Sequence, residues 1–210
     1  MLEVYTQYRG DIQTGDAIFF SGKGAKSDLI KFFSKGEWSH IGMAYRPVEH
    51  LLLLWESTTL SNIKDMDTDS FVKGVQLVPL SQRITNYNGR VGWRKLLKDD
   101  GYNPILTEYQ LESLNKFRRA VAGRPYEEKH MELLRAALDL WGDDFTGNEE
   151  DLSSIFCSEL FAEALQQMNV IYDHIPSNEY VPMDWVAGKQ IEQQLQEGYE
   201  YDDIVLLKDD

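Results

Sequence analysis

The chain has 210 residues, a length that points to one domain at roughly 150 residues per domain. Its 21 lysines and arginines face 35 aspartates and glutamates, a net charge of −14 that excludes a counterion-displacing basic surface, and with it nucleic acid as a partner. A single cysteine, Cys157, excludes an intrachain disulfide.

The first turn-like pair is Thr14-Gly15, and residues 16–20 (DAIFF) read as a buried strand after it. Residues 25–34 place Leu29, Ile30, Phe32 and Phe33 on one helical face, ended by Gly36. Residues 38–45 and 51–57 read as two strands around a connection over 46–50, and 75–80 and 91–97 as two more, split by polar, glycine-containing loops. The pattern then turns helical. Helices are expected over 106–121 and 129–140, with an acidic loop over 141–151. Ser153 or Ser154 is the expected N-cap of a helix over about 156–168, with Phe161, Ala164, Leu165 and Met168 on its apolar face. A last strand is expected over 204–207. Strands in the first half and helices in the second make an α+β fold. The expected organisation is one domain over 1–210, with a core over about 14–170 and a C-terminal extension over about 171–210. The longest apolar run, 51–55, is far short of the ~20 residues that cross a bilayer, and the first residues lack the apolar stretch of a signal peptide. A cytoplasmic protein without a transmembrane segment is the expectation.

Several motifs fail on inspection. Residues 22–27 (GKGAKS) lack the glycine directly before Lys26-Ser27 that a phosphate loop requires. Residues 65–69 (DMDTD) have the carboxylate spacing of a calcium loop, but Ser70 replaces the tight-turn glycine and Gln76 the bidentate glutamate, which leaves a solvated acidic turn. His40, His50, His130 and His174 lack zinc-site spacing, and no cofactor or metal is implied.

One constellation remains. Cys157 falls in the expected first turn of its helix, where unpaired N–H groups stabilise a thiolate and are placed to hold an oxyanion. A thiolate nucleophile needs a base and a group that orients it. On the strand around His40, alternation places His40, Gly42 and Ala44 on one face, small enough to admit another element, and Ile41, Met43 and Tyr45 on a core face. A hairpin centred on Val48 sets His40 directly opposite Glu56, in reach of its imidazole. Glu56 also ends the apolar run, where a carboxylate without a partner is costly. The three residues describe a cysteine–histidine–glutamate triad in the chain order histidine, glutamate, cysteine. Trp38, Trp55 and Tyr126 are candidates to line a cleft, or simply core aromatics.

That order, with residues 15–20 (GDAIFF), 27–33 followed by 38–42 (WSHIG), 123–126 (GRPY) and 156–160 (FCSEL), resembles the circularly permuted NlpC-type, papain-like cysteine hydrolases, the YiiX-like group, which are related to lecithin–retinol acyltransferase. The resemblance implies a small sheet packed against a helix that bears the nucleophile Cys157, with His40 as base and Glu56 in the place of the orienting residue. It also implies acyl transfer through a thioester, hydrolysing an amide, peptide or acyl ester in a small-molecule, peptide or lipid-like substrate. An acyltransferase with the same triad and a non-catalytic binding module on the same scaffold are the alternatives. Neither substrate nor oligomeric state is legible in the residues.

Overall fold

A computed structural model describes residues 2–23, 37–98, 106–125, 149–186, 188 and 190–209, with backbone alone for 149–156 and 190. The elements are helix α1 (Glu3–Tyr8), strands β1 (Ala17–Gly22), β2 (His40–Val48), β3 (Leu51–Thr58) and β4 (Gly74–Pro79), helix α2 (Leu80–Asn86), strands β5 (Gly89–Arg94) and β6 (Leu96–Lys98), helices α3 (Glu108–Val121) and α4 (Glu149–Gln167), and strands β7 (Tyr199–Tyr201) and β8 (Val205–Lys208). Three short 3₁₀ turns lie between α4 and β7.

The α+β architecture read from the sequence is observed. Six strands form one sheet in the order β4-β3-β2-β1-β5-β8, and every pairing is antiparallel. Strand alternation gives that sheet two apolar faces. Phe19, Ile41, Met43 and Trp55 point to the face covered by α4, which contributes Phe161, Ala164, Leu165 and Met168, the four side chains its helical period had selected. Ile18, Phe20, Ala44 and Leu54 point to the other face, covered by Tyr5 of α1 and by Leu80 and Ile84 of α2. The central strands are therefore buried on both sides, which is why residues 51–55 read as one continuous apolar run instead of an alternating one.

Helix α3 is fixed at its start by a reciprocal cap. The Gln110 amide N–H donates to Thr107 Oγ1 at 3.3 Å, and the Thr107 N–H donates to Gln110 Oε1 at 2.9 Å. The tail closes onto the sheet. Arg94, almost wholly buried, donates to the carbonyls of Trp185 at 2.9 Å, Asp202 at 2.6 Å and Tyr201 at 3.1 Å. These bonds bring β8 to the free edge of β5. Beneath β1, the buried Asp16 carboxylate accepts from the Gln13 N–H at 2.9 Å, Trp93 Nε1 at 2.7 Å and the Leu96 N–H at 3.0 Å. Burial pushes its pKa up to about 7 against the pull of those three donors.

Four expectations are corrected. The loop expected after residue 80 contains α2, whose Leu80, Arg83 and Ile84 lie at helical spacing on its buried side. The strand expected over 91–97 is two strands, β5 in the large sheet and β6 paired with β7 in a separate ribbon. The β2–β3 connection is not five residues but two, Glu49 and His50, because β2 runs on through Pro47 with an irregularity between Tyr45 and Val48. Helix α4 begins at Glu149, several residues before the expected cap, so Ser153 and Ser154 are interior positions. The helices expected over 25–34 and 129–140, and most of the acidic loop over 141–151, lie outside the described residues.

Candidate active site

His40 is the first residue of β2. Its backbone partner on β1 is Phe20, whose ring lies 5.3 Å from the imidazole, centroid to centroid. His40 Nε2 lies 2.7 Å from Glu56 Oε2, and both side chains are buried. The contact expected from the sequence is present, but the register behind it is different. Met43 pairs with Trp55 and Ala44 with Leu54, so the ladder is displaced by two residues and Gly42, not His40, stands opposite Glu56. A displacement of two leaves every side chain on its expected face. His40 and Glu56 are diagonal neighbours, a spacing of roughly 7–8 Å that only long side chains bridge.

Gly42 makes the diagonal passable. A Cβ at position 42 would sit 3.1 Å from Glu56 Cβ and 2.8 Å from Leu54 Cδ1. The absence of a side chain there leaves the Glu56 carboxylate free to cross the face of β2 toward the imidazole. The small His40 face was expected to admit another element; α1 and α2 cover that face, whereas the helix that bears Cys157 packs on the opposite face, against Ile41 and Met43.

A fourth residue joins the pair. Arg83 of α2 donates from Nε to Glu56 Oε1 at 2.7 Å, its Nη2 lies 2.7 Å from the same oxygen, and its Nη1 donates to Asn62 Oδ1 at 2.8 Å. Each carboxylate oxygen thus has its own partner, Arg83 on Oε1 and His40 on Oε2. Burial alone favours a protonated Glu56, but the Arg83 charge and the His40 hydrogen bond outweigh it and hold its pKa below the usual carboxylate range. An ionised carboxylate only accepts, so Nε2 carries the ring proton that points at Glu56. Neither Arg83 nor Asn62 was selected from the sequence. The available signal was an arginine at the i+3 position of the apolar stripe Leu80–Ile84, where a charge requires a buried partner.

Cys157 is buried on α4, in the core layer shared with Ile41 and Met43, and its thiol interacts with His40. Burial favours the neutral imidazole. The Cys157 charge, the hydrogen bond to Cys157 and the contact with Glu56 outweigh that, and the His40 pKa is pushed up to about 9. The three residues picked out by the sequence therefore converge. The expected helix N-terminus does not. Cys157 lies eight residues past Glu149, beyond two full turns, and an amide at that depth is committed to the carbonyl four residues back. The cysteine's electrostatic partner is the imidazole, not the end of a helix.

The remaining candidates are structural. Trp38 and Trp55 are core side chains, with the Trp38 ring tilted against Phe19 at 5.6 Å and Trp55 edge-on to Phe117 at 5.7 Å. Tyr126 lies outside the described residues. Asp65 is not solvated: it is buried, with Oδ1 accepting from the Leu77 N–H at 2.7 Å and Oδ2 from the Thr68 N–H at 2.9 Å. That turn caps β4. Among the described residues no group of three or more histidine, cysteine, aspartate or glutamate side chains is disposed to hold a metal ion. Among them, too, no helix is long and apolar enough to cross a membrane.

Fold and site together define an α+β protein with a cysteine–histidine–glutamate–arginine cluster between its main sheet and two helices. No family model matches the chain, and no curated protein does. Among solved structures it is similar to the crystal structure of metalloprotein yiiX from Escherichia coli O157:H7, at 18% sequence identity and a TM-score of 0.48, covering 95% of this chain and 98% of that one.

Proposed function

We propose that this chain is a cysteine hydrolase that cleaves an amide, peptide or acyl-ester bond through a thioester on Cys157. The observation that carries the reading is the buried 2.7 Å contact of His40 Nε2 with Glu56 Oε2, together with the interaction of the same imidazole with Cys157. In this reading His40 takes the Cys157 proton, or the two already rest as a thiolate–imidazolium pair, and the thiolate attacks the carbonyl carbon to form a C–S bond. Collapse of the tetrahedral intermediate breaks the C–N or C–O bond, and the imidazolium protonates the leaving group. Water then gives a proton to His40 as it attacks the thioester. The C–S bond breaks, releasing the carboxylic acid and restoring the thiol–imidazole pair. Glu56 stabilises the imidazolium formed in both halves of the cycle and fixes the ring orientation. Burial of the pair keeps water from screening that interaction.

The test is p-nitrophenyl acetate with the full chain. The expected result is a burst of nitrophenolate with one acetyl group on the peptide that carries Cys157, and loss of the burst in Cys157→Ala and His40→Ala. Absence of acylation in the wild type, or equal acylation in His40→Ala, overturns the reading. A thioester that resists water but is discharged by an added amine or alcohol turns it toward acyl transfer.

A further inference from the structure

We propose that Arg83 is a positioning residue that acts through Glu56: it clamps Oε1 of the carboxylate so that Oε2 is held on His40 Nε2. The inference rests on the reading of Cys157 and His40 as nucleophile and base, and deepens it from three residues to four. Glu56 and Arg83 are both almost wholly buried, so neither charge is tolerable without the other. The geometry is directional. Nε and Nη2 of Arg83 both lie 2.7 Å from Oε1, and among the described residues no other side chain bonds to that oxygen. The guanidinium is itself fixed at its far side, where Nη1 donates to Asn62 Oδ1 at 2.8 Å. Asn62 lies in the segment between β3 and β4, so the chain of contacts runs from that segment through α2 and β3 to the imidazole.

The consequence is electrostatic as well as steric. Glu56 without Arg83 is a carboxylate in a fully buried position, where desolvation favours taking up a proton. A protonated Glu56 no longer stabilises an imidazolium, and its hydrogen-bond role toward Nε2 changes from acceptor to donor. The charged groups that bear on His40 are Glu56 from β3 and Cys157 from α4, with Arg83 of α2 behind Glu56. Arg83 is thus the residue through which α2 sets the protonation state of a ring that it does not touch.

The experiment follows the His40 ring by ¹⁵N-edited NMR from pH 5 to 10 in the full chain. The proteins are the wild type, Arg83→Lys, Arg83→Met, Glu56→Gln and the double variant Glu56→Gln/Arg83→Met. The wild-type ring is expected to titrate at about 9. Arg83→Met is expected to lower that by about one unit or more, Glu56→Gln by a similar amount, and Arg83→Lys by less, since an ammonium keeps the charge but not the fork. The decisive comparison is the double variant, which is expected to match Glu56→Gln alone. An unchanged titration in Arg83→Met overturns the proposal. So does a further fall on adding Arg83→Met to Glu56→Gln, which would mean that Arg83 acts on His40 without Glu56. Should Arg83→Met fail to fold, Arg83→Lys and the double variant, which buries no unpaired charge, carry the comparison. The nitrophenyl acetate burst is read in parallel. Loss of the burst in the wild type with an intact titration series removes the hydrolase reading and leaves the coupling of Arg83 to His40 standing. An intact burst with no Arg83 effect does the reverse.

Discussion

The passage of Glu56 over Gly42 makes a strong prediction for Gly42→Ala. A Cβ there would meet Leu54 Cδ1 at 2.8 Å, Glu56 Cβ at 3.1 Å and the Trp55 carbonyl oxygen at 3.1 Å. The first distance is shorter than van der Waals contact allows, and Leu54 is fully buried in the second core layer with little space to yield. Overpacking of this kind costs about 1–3 kcal/mol, which a urea titration reads as a lower midpoint at unchanged slope. The second effect is specific to the site. Pushing β3 away by a few tenths of an ångström lengthens the 2.7 Å contact of His40 Nε2 with Glu56 Oε2. A charge-assisted bond of that type is worth about 1.5–3 kcal/mol, and losing half of it lowers the imidazole pKa by about half a unit to one unit, at 1.36 kcal/mol per unit. The His40 resonances followed from pH 5 to 10 provide the assay. Gly92→Ala is the control, because its Cβ would meet Trp38 Cη2 at 2.8 Å and Ile204 Cγ2 at 2.9 Å, a comparable clash elsewhere in the sheet. An unchanged His40 titration in Gly42→Ala, or an equal shift in Gly92→Ala, refutes the reasoning.

Other consequences are more direct. Cys157→Ala removes the strongest influence that raises the His40 pKa, so the ring is expected to titrate well below about 9 in that variant, again by NMR. Asp16 has its pKa raised to about 7 by burial, so its contribution to stability is present below about pH 4 and is lost as pH rises through 7, a change of order 4 kcal/mol. Asp16→Asn is expected to lower the urea midpoint, since an amide cannot accept from all three donors, but to flatten its dependence between pH 4 and 7. The His40 contribution has the same sign, present below about 6.5 and lost as pH rises through about 9, whereas Glu56, with its pKa lowered, contributes above its ordinary value and loses that contribution in acid. Urea midpoints in steps of one pH unit are therefore expected to peak in weak acid and to fall on the alkaline side. Arg94→Met strands three carbonyls of the tail segment, at about 1–3 kcal/mol for each that water does not reach, and is expected to loosen β7 and β8 first, read as faster amide exchange there than in β2.

How much of this was legible in the sequence follows from what each signal depends on. Period-2 and period-3.6 patterns depend on neighbouring residues, and they located β1 to β4, α3, the buried side of α4 and the final strand. The start of α4 was misplaced because Ser153 and Ser154 look like caps in isolation. A cap is only a preference, and the preceding residues continue the helix. Arg83 was missed because a charged residue between apolar positions reads as solvated unless its partner is known. That partner, Glu56, lies 27 positions away in the chain.

The hairpin register is the more instructive error. The sequence reads as a connection of five residues where the chain uses two, and an irregularity between Tyr45 and Val48 shifts the ladder once more. Each of these alters which backbone atoms pair, yet the net displacement at the site is two residues, and strand parity survives any even displacement. The face on which a side chain lies is thus a more robust inference than the residue it opposes. His40 and Glu56 were expected to meet because they lie on one face of adjacent strands, and they meet by that property alone. The direct pairing assigned to them belongs to Gly42, and its missing side chain makes a diagonal contact possible. An odd displacement would have put Glu56 on the α4 face, away from Arg83. The neighbours Leu54 and Trp55, one in each core layer, make that alternative costly. The same alternation that builds the two cores therefore holds the carboxylate between its arginine and its histidine.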